Sequence, residues 1–227
     1  MVFYHAHDGV AVNLYTSAQG KLSVGKNVPL TIRQETDYPN SGRIRLQLDP
    51  ARPVKFPLQL RIPAWARGAS VTVNGQAAKG VVKSGAFFEV TREWNSGDEV
   101  ILNLPMPWRL VKGRQRQAGR VAVMRGPQLF CLNPAQNAAL AKLDGTELGY
   151  LALDTASLTD PVQSDALRPN GLGCRVQVWK PGIGLGAKGD FALTLTEFPD
   201  PDGKATYFRL RDFHVAVDDE LFAIQMK

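Results

Sequence analysis

The chain has 227 residues, with 27 Lys and Arg against 21 Asp and Glu, giving a net charge of +6. Hydrophobic residues make up 44%, and there are 21 glycines, 15 prolines and two cysteines. A chain of this size can bury a sizeable core without staples. Two thiols, Cys131 and Cys174, exclude a disulfide-dense scaffold and a four-thiolate zinc site, and leave room for one disulfide. No run approaches the ~18 apolar residues of a membrane span, so no membrane partner is expected.

Strict alternation dominates the chain. Val10/Val12/Leu14, Val28/Leu30/Ile32, Ile44/Leu46/Leu48 and Phe56/Leu58/Leu60/Ile62 each place apolar side chains on every second position. So do Val71/Val73, Val100/Leu102/Leu104, Val121/Val123, Val176/Val178 and Phe191/Leu193/Leu195. This period of two is that of strands with one buried face. Asn74-Gly75 suits the positive φ angles of a tight hairpin, and Ser96-Gly97-Asp98 marks a second turn. Pro57 and Pro63 cannot donate to a ladder, which predicts that their strand lies at an edge or has one exposed side.

The pattern predicts an all-β, antiparallel, jelly-roll-like β-sandwich in two units, over 1–111 and 112–227, with one short helix. Asn133 caps that helix, Pro134 fits its first turn, Ala135 to Leu143 forms its body and Gly145 ends it. Residues 153–173 show no clean period and are expected to connect elements over the surface.

Candidate chemistry is sparse. His5 and His7 would share one face of a strand, but nothing nearby completes a metal set, and a solvated strand at the chain start is the better account. Gly184, Gly186 and Gly189 match the dinucleotide fingerprint by spacing, yet the residues that follow alternate as a strand where the chemistry needs a helix. Asp200 and Asp202 have turn composition, and Asp218, Asp219 and Glu220 read as a solvated acidic cluster, so no carboxylate pair is nominated for glycosidic cleavage. Cys131 lies among Leu129, Phe130 and Leu132, where burial would make a thiol inert. Arg109, Lys112, Arg114, Arg116, Arg120 and Arg125 form a basic stretch with no acid in it. It could meet phosphate, an acidic polysaccharide or a neighbouring domain, or be a solvated loop, with domain docking and the loop the favoured accounts; without interleaved aromatics, nucleic acid is not an expected partner. Trp65, Trp94 and Trp108 are each able to stack on a sugar, although core packing is the commoner use.

Read in order, several segments resemble the C-terminal β-sandwich region of the β-L-arabinofuranosidase-type glycoside hydrolases, family 127. They are Gly9-Val10-Ala11-Val12-Asn13-Leu14-Tyr15, Gln34-Glu35-Thr36-Asp37-Tyr38-Pro39, Leu60-Arg61-Ile62-Pro63-Ala64-Trp65-Ala66, Val73-Asn74-Gly75 and Trp94-Asn95-Ser96-Gly97-Asp98. Leu104-Pro105-Met106, Arg109 and Arg125-Gly126-Pro127-Gln128-Leu129-Phe130-Cys131 complete the series, which covers about residues 3–135. Asn40-Ser41 and Asn133 depart from the family pattern.

The resemblance implies an (α/α)₆ barrel, N-terminal to this region, that carries the catalytic glutamate and the zinc-handling cysteines. No catalytic residue, metal ligand or cofactor is therefore expected in this chain. The implied partner is the protein's own catalytic domain, with a homodimer and carbohydrate as further possibilities. The implied role is an accessory region that supports the barrel, its cleft rim or dimer contacts. The competing readings are a free-standing carbohydrate-binding module, for which Trp65, Trp108 and Tyr38 are the candidate sugar contacts, and a protein-interaction domain.

Overall fold

A computed structural model describes residues 1–7, 9–141, 143–180, 189–198, 200–212 and 214–219. The chain divides into two compact units, 1–106 and 107–227.

The first unit contains β1 (Phe3–Ala6), β2 (Gly9–Val12), β3 (Ala18–Val24), β4 (Val28–Thr36), β5 (Arg43–Pro50), β6 (Val54–Arg61), β7 (Ser70–Val73), β8 (Gln76–Ala77), β9 (Phe87–Trp94) and β10 (Asp98–Asn103). A four-stranded sheet runs β1-β2-β6-β9, and a six-stranded sheet runs β3-β4-β5-β10-β7-β8. The alternating residues do what their period requires: Ile44, Leu46, Leu48, Phe56, Leu58, Leu60 and Ile62 are all buried in one core shared by both sheets.

Leu14 departs from expectation: it turns outward and is exposed, because the strand ends at Val12. The strand carrying Pro57 is not an edge, being flanked by β2 and β9, but Pro57 lies on its half-exposed side, the second of the two expected settings. It tolerates the proline because β2 pairs only with Leu58, Gln59 and Leu60, starting just after it. Gly9 allows the approach, since a Cβ there would lie 2.0 Å from the Pro57 carbonyl oxygen.

The motif turns are stitched by side chains. Asn74 (φ 50°) and Gly75 (φ 78°) form the expected hairpin tip between β7 and β8. The Asn74 side chain donates to Asp98 Oδ1 at 2.8 Å and accepts from the Glu99 amide at 2.8 Å. The second carboxylate oxygen of Asp98 accepts from the Asn95 amide at 2.9 Å. Trp94 is fully buried, and its indole N–H donates to the Phe56 carbonyl at 3.0 Å.

The second unit holds β11 (Trp108–Lys112), β12 (Arg120–Arg125), β13 (Gln128–Cys131), α1 (Gly145–Leu148), β14 (Ala152–Asp154), β15 (Val162–Gln163), β16 (Leu172–Trp179), β17 (Phe191–Glu197) and β18 (Tyr207–Leu210). Here the structure corrects the predicted sandwich. Strands β12, β13, β17, β16, β14 and β18 form a closed six-stranded barrel, completed by β18 pairing with β12. The first residues of β12, 120–122, pair with β18, and 123–125 pair with β13, so one strand bridges the closure. Parallel pairs β14–β18 and β2–β6 also depart from a purely antiparallel design. The all-β class stands. Val123, Phe130, Val176, Val178, Leu193, Leu195 and Phe208 fill the barrel core.

The predicted helix over 135–143 is replaced by two 3₁₀ turns, Pro134–Gln136 and Ala138–Leu140, with α1 starting only at Gly145. Asn133 does cap the first turn, accepting from the Ala135 amide at 2.9 Å. Asn137 then breaks the helix. Its buried side-chain amide donates to the Thr194 carbonyl at 2.9 Å and accepts from the Thr194 amide at 2.8 Å, acting as one more rung beside β17. A continuous helix would forfeit that pairing. The segment 153–173 also contributes more than a connection: Leu153 belongs to β14, a barrel strand, and is buried.

Candidate functional site

In the first unit, loop residues 13–17 lie beside the end of β6. Gln34, buried on β4, donates from Nε2 to the carbonyls of Leu14 and Thr16, at 3.0 and 2.7 Å. Arg61 donates from Nε to the Asn13 carbonyl at 2.7 Å. The Tyr15 hydroxyl donates to the Arg61 carbonyl, and the Tyr15 and Tyr38 rings meet edge to face with centroids 5.8 Å apart. Burial raises both phenol pKa values, and the Arg61 charge only partly offsets it. Both phenols are therefore neutral donors. Tyr38 and Trp65 are half-buried and pack against the first core.

Trp108 belongs to the second unit. Its ring meets Phe130 edge to face with centroids 5.0 Å apart, and its indole N–H donates to the Thr159 carbonyl at 2.5 Å. The structure thus brings Tyr38 to Tyr15 and Arg61, and Trp108 to Phe130.

Each buried carboxylate has an architectural task. Glu197, at the end of β17, takes both guanidinium branches of Arg168 at 2.7 Å. It also accepts from Gln128 Nε2 at 2.7 Å and from the Leu172 amide at 2.9 Å. Four donors converge on this buried carboxylate, three on Oε1 and one on Oε2, and tie it to the fold. Asp200 accepts from the Thr196 hydroxyl (2.7 Å), Asn133 Nδ2 (2.8 Å) and the Asp202 amide (3.0 Å). Burial pushes its carboxyl pKa up, but those hydrogen bonds prevail and hold it below the usual carboxylate range.

The basic stretch and the acidic cluster meet. Arg109 pairs with Asp218 at 3.3 Å, Arg114 pairs with Asp219, and Lys112 approaches Asp219 at 3.9 Å. Backbone bonds fix this: the Lys112 amide donates to the Asp218 carbonyl, and the Asp218 amide donates to the Leu110 carbonyl. Asp218 and Asp219 are thus charge partners of the basic stretch, which corrects their reading as a merely solvated cluster. Glu220 and the glycines at 184 and 186 lie outside the described residues.

His5 lies exposed on β1, and His7 sits in the turn beyond it with φ 48°, so they do not share one strand face. Among the described residues, no group of three or more His, Cys, Asp or Glu is placed to hold a metal ion. Cys131 and Cys174 are free and buried. Burial pushes the Cys174 thiol up to about 12 and raises Cys131 as well, the latter against a partly compensating hydrogen bond with Thr196.

Those thiols set an expected pH dependence. The native state keeps Cys174 protonated where the unfolded chain ionises near pH 9. The stability that its burial confers is fully present below about pH 9 and is lost as pH rises towards 12. At pH 8.5, iodoacetamide should label neither thiol in the native protein and both in urea. Rapid native labelling of Cys174 would contradict its burial. A Cys174→Val variant should show a shallower alkaline loss of stability.

Residues 9–106 match the family model of the β-L-arabinofuranosidase GH127 middle domain, a span lying within the first compact unit. A non-reducing end β-L-arabinofuranosidase from Bifidobacterium longum subsp. longum is 36% identical over 117 residues, covering 48% of this chain and 17% of that protein. The crystal structure of a GH127 β-L-arabinofuranosidase from Geobacillus stearothermophilus T6 is similar with a TM-score of 0.75 and 26% identity, over 92% of this chain and 35% of that one. A further GH127 β-arabinofuranosidase structure matches with a TM-score of 0.75 and 25% identity, over 92% and 36%. The chain therefore spans about a sixth of the curated relative and about a third of these solved structures. On matching residues, matching fold and matching family model together, this chain carries a GH127-like region.

Proposed function

We propose that this chain is a non-catalytic accessory region of a β-L-arabinofuranosidase-like glycoside hydrolase. It would support a catalytic (α/α)₆ barrel, its cleft rim or its dimer contacts, with any zinc held by the barrel. The observation that carries this reading is one of proportion. Solved GH127 enzymes cover over nine-tenths of this chain, while the chain covers little more than a third of them.

The chemistry of the buried residues supports it. Glu197, Asp200 and Asp98 are occupied by donors from the fold itself, and the buried thiols are held protonated. Residues with the properties of a nucleophile or general acid are thus committed to architecture. The motif side chains Asn74, Trp94 and Asp98 serve the same end.

The test is hydrolysis of β-L-arabinofuranoside and galactoside substrates by the purified chain. No turnover is expected, and turnover that survives repurification would overturn the reading. Sugar contact through Tyr38, Trp65 and Trp108 is the competing role. All three residues are half-buried, so each retains some contact with solvent. Retention on a glycan array, lost on Trp65→Ala or Trp108→Ala substitution, would favour it.

A further inference from the structure

The second unit carries a cleft of ≈ 570 Å³ that no role above uses. Gln117, Arg120, Leu148, Lys204, Thr206 and Tyr207 are among the residues that line it. It is bounded by the turn before β12, by α1 and by the segment entering β18. Its volume falls in the range of small-molecule sites.

Strand register makes the cleft's edge basic. Val121 and Phe208 point into the barrel, so their neighbours Arg120, Tyr207 and Arg209 share the outer face. Arg120 lies directly opposite Arg209 in the ladder. The Arg209 guanidinium sits over the Tyr150 ring, 4.1 Å from its centroid. Arg120 donates to the neutral Gln117 side chain at 3.2 Å.

Two cations, Arg120 and Lys204, line the cleft and no carboxylate does, with Arg209 on the same outer face beside it. The acids of α1 form its capping box, Asp144 accepting from the Glu147 amide and Glu147 from the Asp144 amide, and both stand outside the cleft lining. Asp202 is exposed on the loop leading to Lys204. Like charges on one surface repel one another, and an anion between them relieves that repulsion.

The walls say more than the charge. Leu148, Pro134 and the Tyr207 ring supply apolar surface, while Gln117 and Thr206 supply neutral hydrogen-bonding groups. A bare inorganic anion has no use for apolar walls. A single aromatic ring in a cleft is also unlike the series of platforms that tracks a nucleic acid strand. A compact ring with several hydroxyls and one carboxylate satisfies all three wall types.

We propose that this cleft binds an acidic sugar of the uronate class. The carboxylate lies between Arg120 and Lys204, and the ring rests on Leu148 and Tyr207. The proposal does not depend on whether the chain is catalytic or accessory, since it concerns binding alone.

The test is titration calorimetry of the whole chain at fixed ionic strength with four probes: D-galacturonate, D-glucuronate, D-galactose and inorganic sulfate. At least one uronate should bind about tenfold or more tightly than galactose and sulfate, as expected for a charge-assisted hydrogen bond added to ring contacts. Lys204→Ala and Arg120→Gln should each weaken uronate binding by about tenfold. Arg116→Gln, which removes an exposed charge outside the cleft lining, should leave it unchanged. Lys204 is exposed, so its variant should fold even if that at Arg120 does not. Equal binding of sulfate, equal binding of galactose, no uronate binding, or indifference to Lys204→Ala would each overturn the proposal.

Discussion

Replacing Trp94 with alanine should lower the stability of the first unit by about 3–5 kcal/mol, the range for deleting a large buried aromatic. The side chain is fully buried at the end of β9, its ring centroid 5.9 Å from that of Phe56. Two separate losses add. The first is packing, since the Arg92 side chain over the ring is the wrong chemistry to fill an apolar cavity between β9 and β6. The second is the indole hydrogen bond to the Phe56 carbonyl, whose removal leaves a buried acceptor unpaired. Trp94→Phe keeps most of the volume and loses the bond, so it should cost roughly 1–3 kcal/mol. Urea unfolding followed by tryptophan fluorescence and circular dichroism measures both. If Trp94→Phe cost as much as Trp94→Ala, packing would not be the larger part.

Removing the Glu197 carboxylate should be the most damaging loss of a charged group in the second unit. Glu197→Ala strands Arg168, Gln128 and the Leu172 amide, all of which converge on that one group. A fully buried ion pair broken on one side costs about 3–5 kcal/mol. Arg168 is 38% exposed and rehydrates in part, which brings the expected loss nearer 2–3 kcal/mol. Glu197→Gln retains an acceptor oxygen and should recover about half of it. The double variant Glu197→Ala/Arg168→Leu should be less destabilised than Glu197→Ala alone, because no unpaired charge remains. Chemical unfolding of the three variants decides this. Additive losses would mean that the two groups stabilise the barrel independently.

The alternating runs made most strands legible, because period two reports directly which side of a strand is dry. Ile44, Leu46 and Leu48 could be placed inside before any coordinates. The Asn74-Gly75 tip was legible for a similar reason, as few dipeptides accept two positive φ angles. Closure was not legible. Alternation is the same whether a sheet faces another sheet or curls round to meet itself, and only the long-range pairing of Ala122 with Tyr207 distinguishes them.

The helix over 135–143 was misread because alanine favours helix locally, while Asn137 is claimed by Thr194 on a strand far along the chain. The charge partners of Arg109 and Arg114, Asp218 and Asp219, were not legible for the same reason, lying more than a hundred residues away. The cleft that gathers Arg120, Lys204 and Tyr207 had no local signal either. Its residues come from separate segments that only the barrel brings together.

The barrel's completion by β18 bears on how the unit can be made. Until residues 207–210 have left the ribosome, β12 and β14 each lack a neighbour that the finished ring supplies. Nascent chains at that stage expose unsatisfied amides and carbonyls able to recruit a foreign strand. Truncation anywhere upstream of Tyr207 freezes the molecule in that adhesive condition, so shortened versions of this unit should accumulate as insoluble aggregates.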